Sequence, residues 1–110
     1  PDGEKSRAYY LPLLEKAAAE NPDARNLYYL GREYFYHQKF EQATETLKKY
    51  LDVSVFPAER GYALRIMAKC TQDTKQSEEY LIRSTEEFQS RESILALANR
   101  WKRLVKKIVL

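Results

Sequence analysis

Apolar residues return along this chain at helical spacing. Leu27-x2-Leu30-Gly31-x2-Tyr34 occupies positions i, i+3, i+4 and i+7. Leu64-x2-Met67-Ala68-x2-Thr71 repeats the pattern 37 residues later, and Ile94-x2-Leu97-Ala98-x2-Trp101 follows 30 after that. This spacing puts each set on one stripe of an α-helix, the stripe that faces a core. The small third residue removes side-chain bulk, so a second helix can approach closely there. Recurrence in the thirties is the mark of a helical repeat, in which each helix pair needs its neighbour to bury its face.

The interruptions of the pattern delimit six helices. The first is expected from about Leu11 to Glu20, with Pro12 in its first turn and Leu14 and Ala17 facing inward; the polar residues 1–6 before it are expected to fray. Asn21-Pro22-Asp23 stops that helix and caps the next, which runs from about Ala24 to His37. Gln38-Lys39 makes a tight turn, and a partner helix from Phe40 to Asp52 buries Phe40, Ala43, Leu47, Tyr50 and Leu51. Gly31 is expected at a close crossing, facing Ala43 or its neighbours. Pro57 opens a helix from about Ala58 to Thr71, with Glu59 well placed near its positive end. The polar segment 72–77 reads as a loop. A shorter helix from Glu78 to Phe88 buries Leu81, Ser84 or Thr85, and Phe88. The last helix starts near Arg91 and is expected to bury Ile94, Leu97, Ala98, Trp101, Leu104, Val105 and Ile108. The fold class is therefore all-α: a solenoid of about six antiparallel helices, or two and a half repeats, forming a single domain over residues 1–110.

Leu27-x2-Leu30-Gly31-x2-Tyr34, then Phe40-x2-Ala43-x3-Leu47, then Pro57, resembles a tetratricopeptide repeat (TPR). Leu14-x2-Ala17-x4-Pro22 is similar to the second half of a preceding repeat. The repeat after it is degenerate, because Tyr80 stands where a small residue is expected and the helix reads as about a turn short. A narrower resemblance runs through Tyr10-Leu11-Pro12-Leu13-Leu14-Glu15-Lys16, Asn21-Pro22-Asp23-Ala24-Arg25, Tyr29-Leu30-Gly31-Arg32-Glu33-Tyr34 and Glu45-Thr46-Leu47-Lys48-Lys49. It continues in Glu59-Arg60, Arg65-Ile66-Met67-Ala68-Lys69-Cys70 and Arg91-Glu92. These strings are similar to the helical region that follows the catalytic domain of bacterial family 2 glycosyltransferases. That resemblance implies a parent enzyme whose other domain binds a nucleotide sugar and a divalent metal through an Asp-x-Asp motif. This chain has no Asp-x-Asp and no Gly-rich phosphate loop. The segment itself is expected to be non-catalytic and without a cofactor, an accessory module cut from a longer chain.

Composition narrows the picture further. One cysteine excludes an internal disulfide or a Cys-rich zinc site, which suits a reducing, cytoplasmic setting. No apolar run approaches the roughly 20 residues of a membrane helix. The net charge of +3 is uneven: residues 91–110 hold six Arg or Lys against one Glu. Cations beside Trp101 suit nucleic acid or an anionic membrane. The apolar stripe continuing through Trp101 favours instead a helix with its charges on the solvated face, and lysines near a helix C-terminus complement the dipole. His37 at a helix end, Cys70 on an inner face and the pairs Glu78-Glu79 and Glu86-Glu87 read as structural or solvated, and no spacing suits a metal.

The remaining candidate surface is the face of the first helix of each repeat that does not enter the core. Tyr28, Arg32 and Tyr36 in the first repeat and Arg65 and Lys69 in the second are the expected ligand-binding residues, with Arg25, Phe35 and Tyr62 beside them. Such a surface holds carboxylates or phosphates by charge-assisted bonds. Equally, the tyrosines pack on neighbouring helices and the arginines pair with Glu33 or Glu59; both readings stay open. The expected partner is an acidic protein or peptide, either the catalytic domain of the parent chain or the ligand of an independent TPR adaptor.

Overall fold

A computed structural model describes residues 2–88 and 91–109, with side chains described for 9–88, 94–103 and 106. Among the described residues there are six α-helices and no strand: α1 Asp2–Glu20, α2 Ala24–Tyr36, α3 Phe40–Val53, α4 Pro57–Cys70, α5 Thr74–Glu87 and α6 Arg91–Val109. The fold is all-α and helical-repeat-like: α1 packs on α2 and α2 on α3, and α4 packs on α5 and α5 on α6. The chain falls into two compact units, Pro1–Val55 and Phe56–Leu110.

In the first unit, α1 ends at Asn21-Pro22 and Asp23 caps α2. One Asp23 carboxylate oxygen accepts from the Asn26 amide at 2.8 Å, while Asn26 Nδ2 donates to the Asn21 carbonyl at 2.9 Å. This satisfies donors and acceptors that two helix ends would otherwise expose. α2 then closes at Gln38, which adopts φ 60°. Gln38 N–H donates to the Phe35 carbonyl and Lys39 N–H to the Tyr34 carbonyl, both at 2.9 Å. That pair of bonds is a Schellman cap, with glutamine in the left-handed position that usually takes glycine. The chain turns back, and α3 lies antiparallel on α2.

Gly31 sits at the crossing, as expected, but opposite Leu47, one turn beyond Ala43. A β-carbon there would lie 2.5 Å from Leu47 Cδ2. Ala43, Leu47 and Tyr50 are fully buried, and Tyr50 meets Tyr28 with ring centroids 5.4 Å apart. Leu27, Leu30 and Tyr34 complete this core, as their spacing predicts. Tyr34 also donates to Glu15 Oε2 at 2.6 Å, which ties α2 to α1. Burial, then this bond, then the Glu15 charge push the Tyr34 phenol up to about 12.

Three expectations for this unit are corrected. α1 starts at Asp2, so Pro12 lies inside it rather than in its first turn. Leu11 and Ala18 are the buried residues of α1, while Leu14 and Ala17 are half-buried; the inward face is rotated from the one expected. Phe40 is exposed, because the first residue of α3 overhangs the crossing and meets only the edge of the core, near Phe35.

In the second unit, Pro57 fills the first turn of α4, where its missing N–H costs nothing. Asp73 caps α5, its Oδ1 accepting from the amides of Lys75 and Gln76. α5 therefore begins at Thr74. Residues 74–77 are helical rather than loop, and α5 is as long as α3, not a turn short. Its inner face carries two buried serines seven residues apart. Ser77 Oγ donates to the Ala68 carbonyl at 2.9 Å, and Ser84 Oγ to the Gly61 carbonyl at 2.7 Å. Gly61 and Ala68 are also seven apart, so two small residues on α4 meet two serines on α5 across two helical turns. The short side chains let the backbones approach until hydroxyls reach carbonyls. Counted from the helix starts, Ser77 takes the place on α5 that Ala43 has on α3, so the small residue is present and Tyr80, though buried, does not replace it. Phe88, expected inside, is exposed at the C-cap. Arg60 pairs with Glu87 through two parallel bonds of 3.0 and 2.9 Å, so Glu87 belongs to an ion pair rather than to a solvated face.

Among the described side chains of α6, most of the stripe expected to be buried is not. Ile94, Leu95, Ala98 and Trp101 are exposed, with Trp101 at 59%. Leu104, Val105 and Ile108 lie outside the described side chains. The half-buried residues are Ala96, Leu97 and Arg100, and the Arg100 guanidinium donates to Ser77 Oγ. This bond helps seat α6 on α5 through a face that includes an arginine, with Ile94, Ala98 and Trp101 left exposed.

Candidate functional site

The five expected ligand residues divide between the units. Tyr28, Arg32 and Tyr36 belong to α2, and Arg65 and Lys69 to α4. Each unit builds its own arrangement.

On α2, Tyr28 is a core residue, buried against Tyr50, and cannot present its ring to a partner. Tyr36 is exposed beside Phe35. Arg32 is half-buried, with its guanidinium carbon 5.5 Å from the Tyr28 ring centre and 5.2 Å from that of Tyr29. Arg25 lies 5.7 Å from the same Tyr29 ring. Residues 25, 29 and 32 fall at i, i+4 and i+7, so a tyrosine is flanked by two cations along one helix face. Arg32 Nε is buried with no hydrogen-bond partner. The arginines thus stack on tyrosines here rather than pairing with Glu33.

On α4, Arg65 lies over the Tyr62 ring at 5.2 Å. Arg65 and Lys69, one turn apart, line a cavity of about 340 Å³ between α4, α5 and α6. Ser77 of α5 and Asn99, Arg100 and Arg103 of α6 line it too. Four cationic side chains thus surround one space, and no carboxylate is among the described residues lining it. Two of the four, Arg65 and Arg100, are half-buried; Lys69 and Arg103 are exposed. Ser77 is the pivot: its hydroxyl donates to Ala68 and accepts from Arg100, so the arginine is held rather than loose.

Sequence reasoning missed Ser77, Asn99, Arg100 and Arg103. Asp73 followed three residues later by Gln76 is a helix-start signature that would have moved Ser77 from loop to helix. No comparable signal marks Arg100, because the apolar stripe of α6 pointed its cations to solvent.

Other chemistry finds less support. His37 is a helix C-cap whose Nε2 lies 3.5 Å from Glu33 Oε1. Cys70 is half-buried. Among the described residues no three metal-ligating side chains gather, and no helix is long and apolar enough to cross a membrane. No protein-family model, curated protein or solved structure matches this chain.

Proposed function

We propose that this chain is a non-catalytic helical-repeat module that binds an acidic segment of a partner protein. One observation carries the reading: Arg65, Lys69, Arg100 and Arg103 converge on one cavity lined by no described carboxylate. A surface kept only for solubility intersperses both signs of charge. Concentrated positive charge in a recess attracts an acidic ligand and rejects a basic one. Arg25 and Arg32 around Tyr29 offer a second cationic face on α2.

The TPR reading is supported by the helix starts. Ala24, Pro57 and Arg91 follow one another at 33 and 34 residues, and Phe40 and Thr74 at 34, which is the pitch of that repeat. The residue strings similar to family 2 glycosyltransferases support reading the module as a neighbour of such a catalytic domain, in the cytoplasm, and that domain is one partner to test. An independent adaptor would use the same cations on a peptide.

Calorimetric titration with an Asp/Glu-rich peptide, against its Asn/Gln counterpart, tests the proposal. The acidic peptide binds, weakens as salt rises, and loses affinity in Lys69→Glu/Arg103→Glu. Equal binding of both peptides, or an unaffected variant, contradicts it.

A further inference from the structure

We infer that the α4–α5–α6 cavity is a site for a phosphate monoester, carried on a side chain of the partner peptide. This rests on the acidic-partner reading and goes beyond it by naming the group.

Charge is the first argument. Four cations face one cavity with no described carboxylate beside them. A carboxylate brings one negative charge and two acceptor oxygens. A phosphate monoester brings nearly two charges near neutral pH and three acceptor oxygens, a closer match to four cations.

Geometry is the second. Guanidinium groups present forked donors that fit phosphate oxygens two at a time. Ser77 holds Arg100 in place before any ligand arrives, which lowers the ordering cost of binding. Asn99 adds an amide to the same rim.

Size and shape are the third. At about 340 Å³ the cavity exceeds a bare ion and sits at the lower end of ligand pockets, which span about 300–1,000 Å³. Its apolar walls, Ala68, Leu81 and Ala96, suit the carbon stem that carries a phosphoryl group. A single recess takes one such group. A nucleic acid backbone, by contrast, needs a track of cations along several phosphates.

The test uses the whole 110-residue chain and five probes: inorganic phosphate, capped phosphoserine, a phosphoserine peptide, the same peptide with glutamate, and a single-stranded RNA. Calorimetry gives affinities, and the amide spectrum checks folding. The phosphoserine peptide binds saturably and more tightly than its glutamate counterpart. Its affinity rises from mildly acidic to neutral pH as the phosphate takes its second charge. Lys69→Gln/Arg103→Gln removes two exposed cations and weakens binding at least about tenfold, the loss expected for charge-assisted bonds. Lys75→Gln/Arg83→Gln, the same charge change on exposed residues of α5 outside the cavity, leaves affinity unchanged. Arg100→Lys keeps the charge but not the fork and weakens binding as well. If capped phosphoserine binds as tightly as the peptide, the site stands with a free phosphorylated compound as its ligand.

Equal affinity for the phosphoserine and glutamate peptides overturns the inference while leaving the acidic-partner reading intact. Loss of all peptide binding overturns both. Equal weakening by Lys75→Gln/Arg83→Gln reduces the effect to net charge and overturns the site. RNA binding more tightly than the phosphopeptide through the same cations overturns the assignment to a peptide.

Discussion

Replacing Gly31 with alanine probes the α2–α3 packing directly. Propensity alone favours alanine in a helix interior by about 1 kcal/mol. A β-carbon at this position, however, would lie 2.5 Å from Leu47 Cδ2 and 2.6 Å from Leu47 Cγ. Leu47 is fully buried and cannot swing into solvent. It must move within a filled core or push the helices apart, and overpacking of that kind costs about 1–3 kcal/mol. The clash outweighs the propensity gain, giving a net loss of about 1 kcal/mol and a fall in melting temperature of roughly 4 °C. A double-mutant cycle removes the ambiguity. Leu47→Ala alone opens a cavity and costs about 2–5 kcal/mol. In that background the new methyl group has room, so Gly31→Ala stabilises, by up to about 1 kcal/mol. The effect of one substitution thus reverses sign with the residue opposite it, a coupling expected of groups in direct contact. Urea unfolding of the four proteins, followed by far-UV circular dichroism, reads it. If Gly31→Ala stabilises the native sequence as much as the Leu47→Ala variant, the two residues do not oppose each other and the packing is wrong.

Three further outcomes follow from local geometry. Gln38→Gly relieves a left-handed conformation at the α2 cap and raises stability by about 0.5–1 kcal/mol; a loss in urea unfolding would deny the Schellman turn. Glu87→Gln breaks the paired bonds to Arg60 and costs about 1 kcal/mol at neutral pH. The Arg60 bond holds the Glu87 carboxyl below its ordinary value, so this stabilisation is complete above the usual carboxylate range and is lost as pH falls through the lowered value. Melting curves of the two proteins should converge in acid, and a constant gap would contradict the pairing. Tyr34 titrates near 12 rather than 10, so its stabilisation is intact below pH 10 and is lost as pH rises through about 12. Tyr34→Phe should remove a step near pH 12 from the alkaline absorbance titration, and loss of a step near the ordinary tyrosine value instead would deny the Glu15 contact.

Much of the fold was legible because helix signals are local. Pro57 and Asp23 mark starts, Gln38-Lys39 marks a turn, and the stripe of Leu27, Leu30, Gly31 and Tyr34 is the observed face of α2. The middle copy of the repeated pattern was read one turn out of register. Helix starts put the copy that matches Leu27 at Arg60 rather than Leu64, a slip of four residues. A helical face recurs about every 3.6 residues, so a pattern can match a turn late, whereas a helix start cannot. The orientation of α6 was not legible at all. Arg100 faces α5 and donates to Ser77, whereas hydropathy ranks an arginine as outward. Two of the five expected site residues, Arg65 and Lys69, line one cavity, and for the same reason nothing in the sequence marks the α6 cations that share it. Tyr28 was misjudged because a helix face only one position away from the core stripe is often core itself.

We propose that a cationic recess on this helical module receives an acidic partner. Mapping amide chemical shifts while titrating an Asp/Glu-rich peptide tests it most directly. Saturable shifts are expected at Arg65, Lys69, Ser77, Asn99 and Arg100. Shifts confined to the exposed stripe of Ile94, Ala98 and Trp101, or none at all, would contradict it.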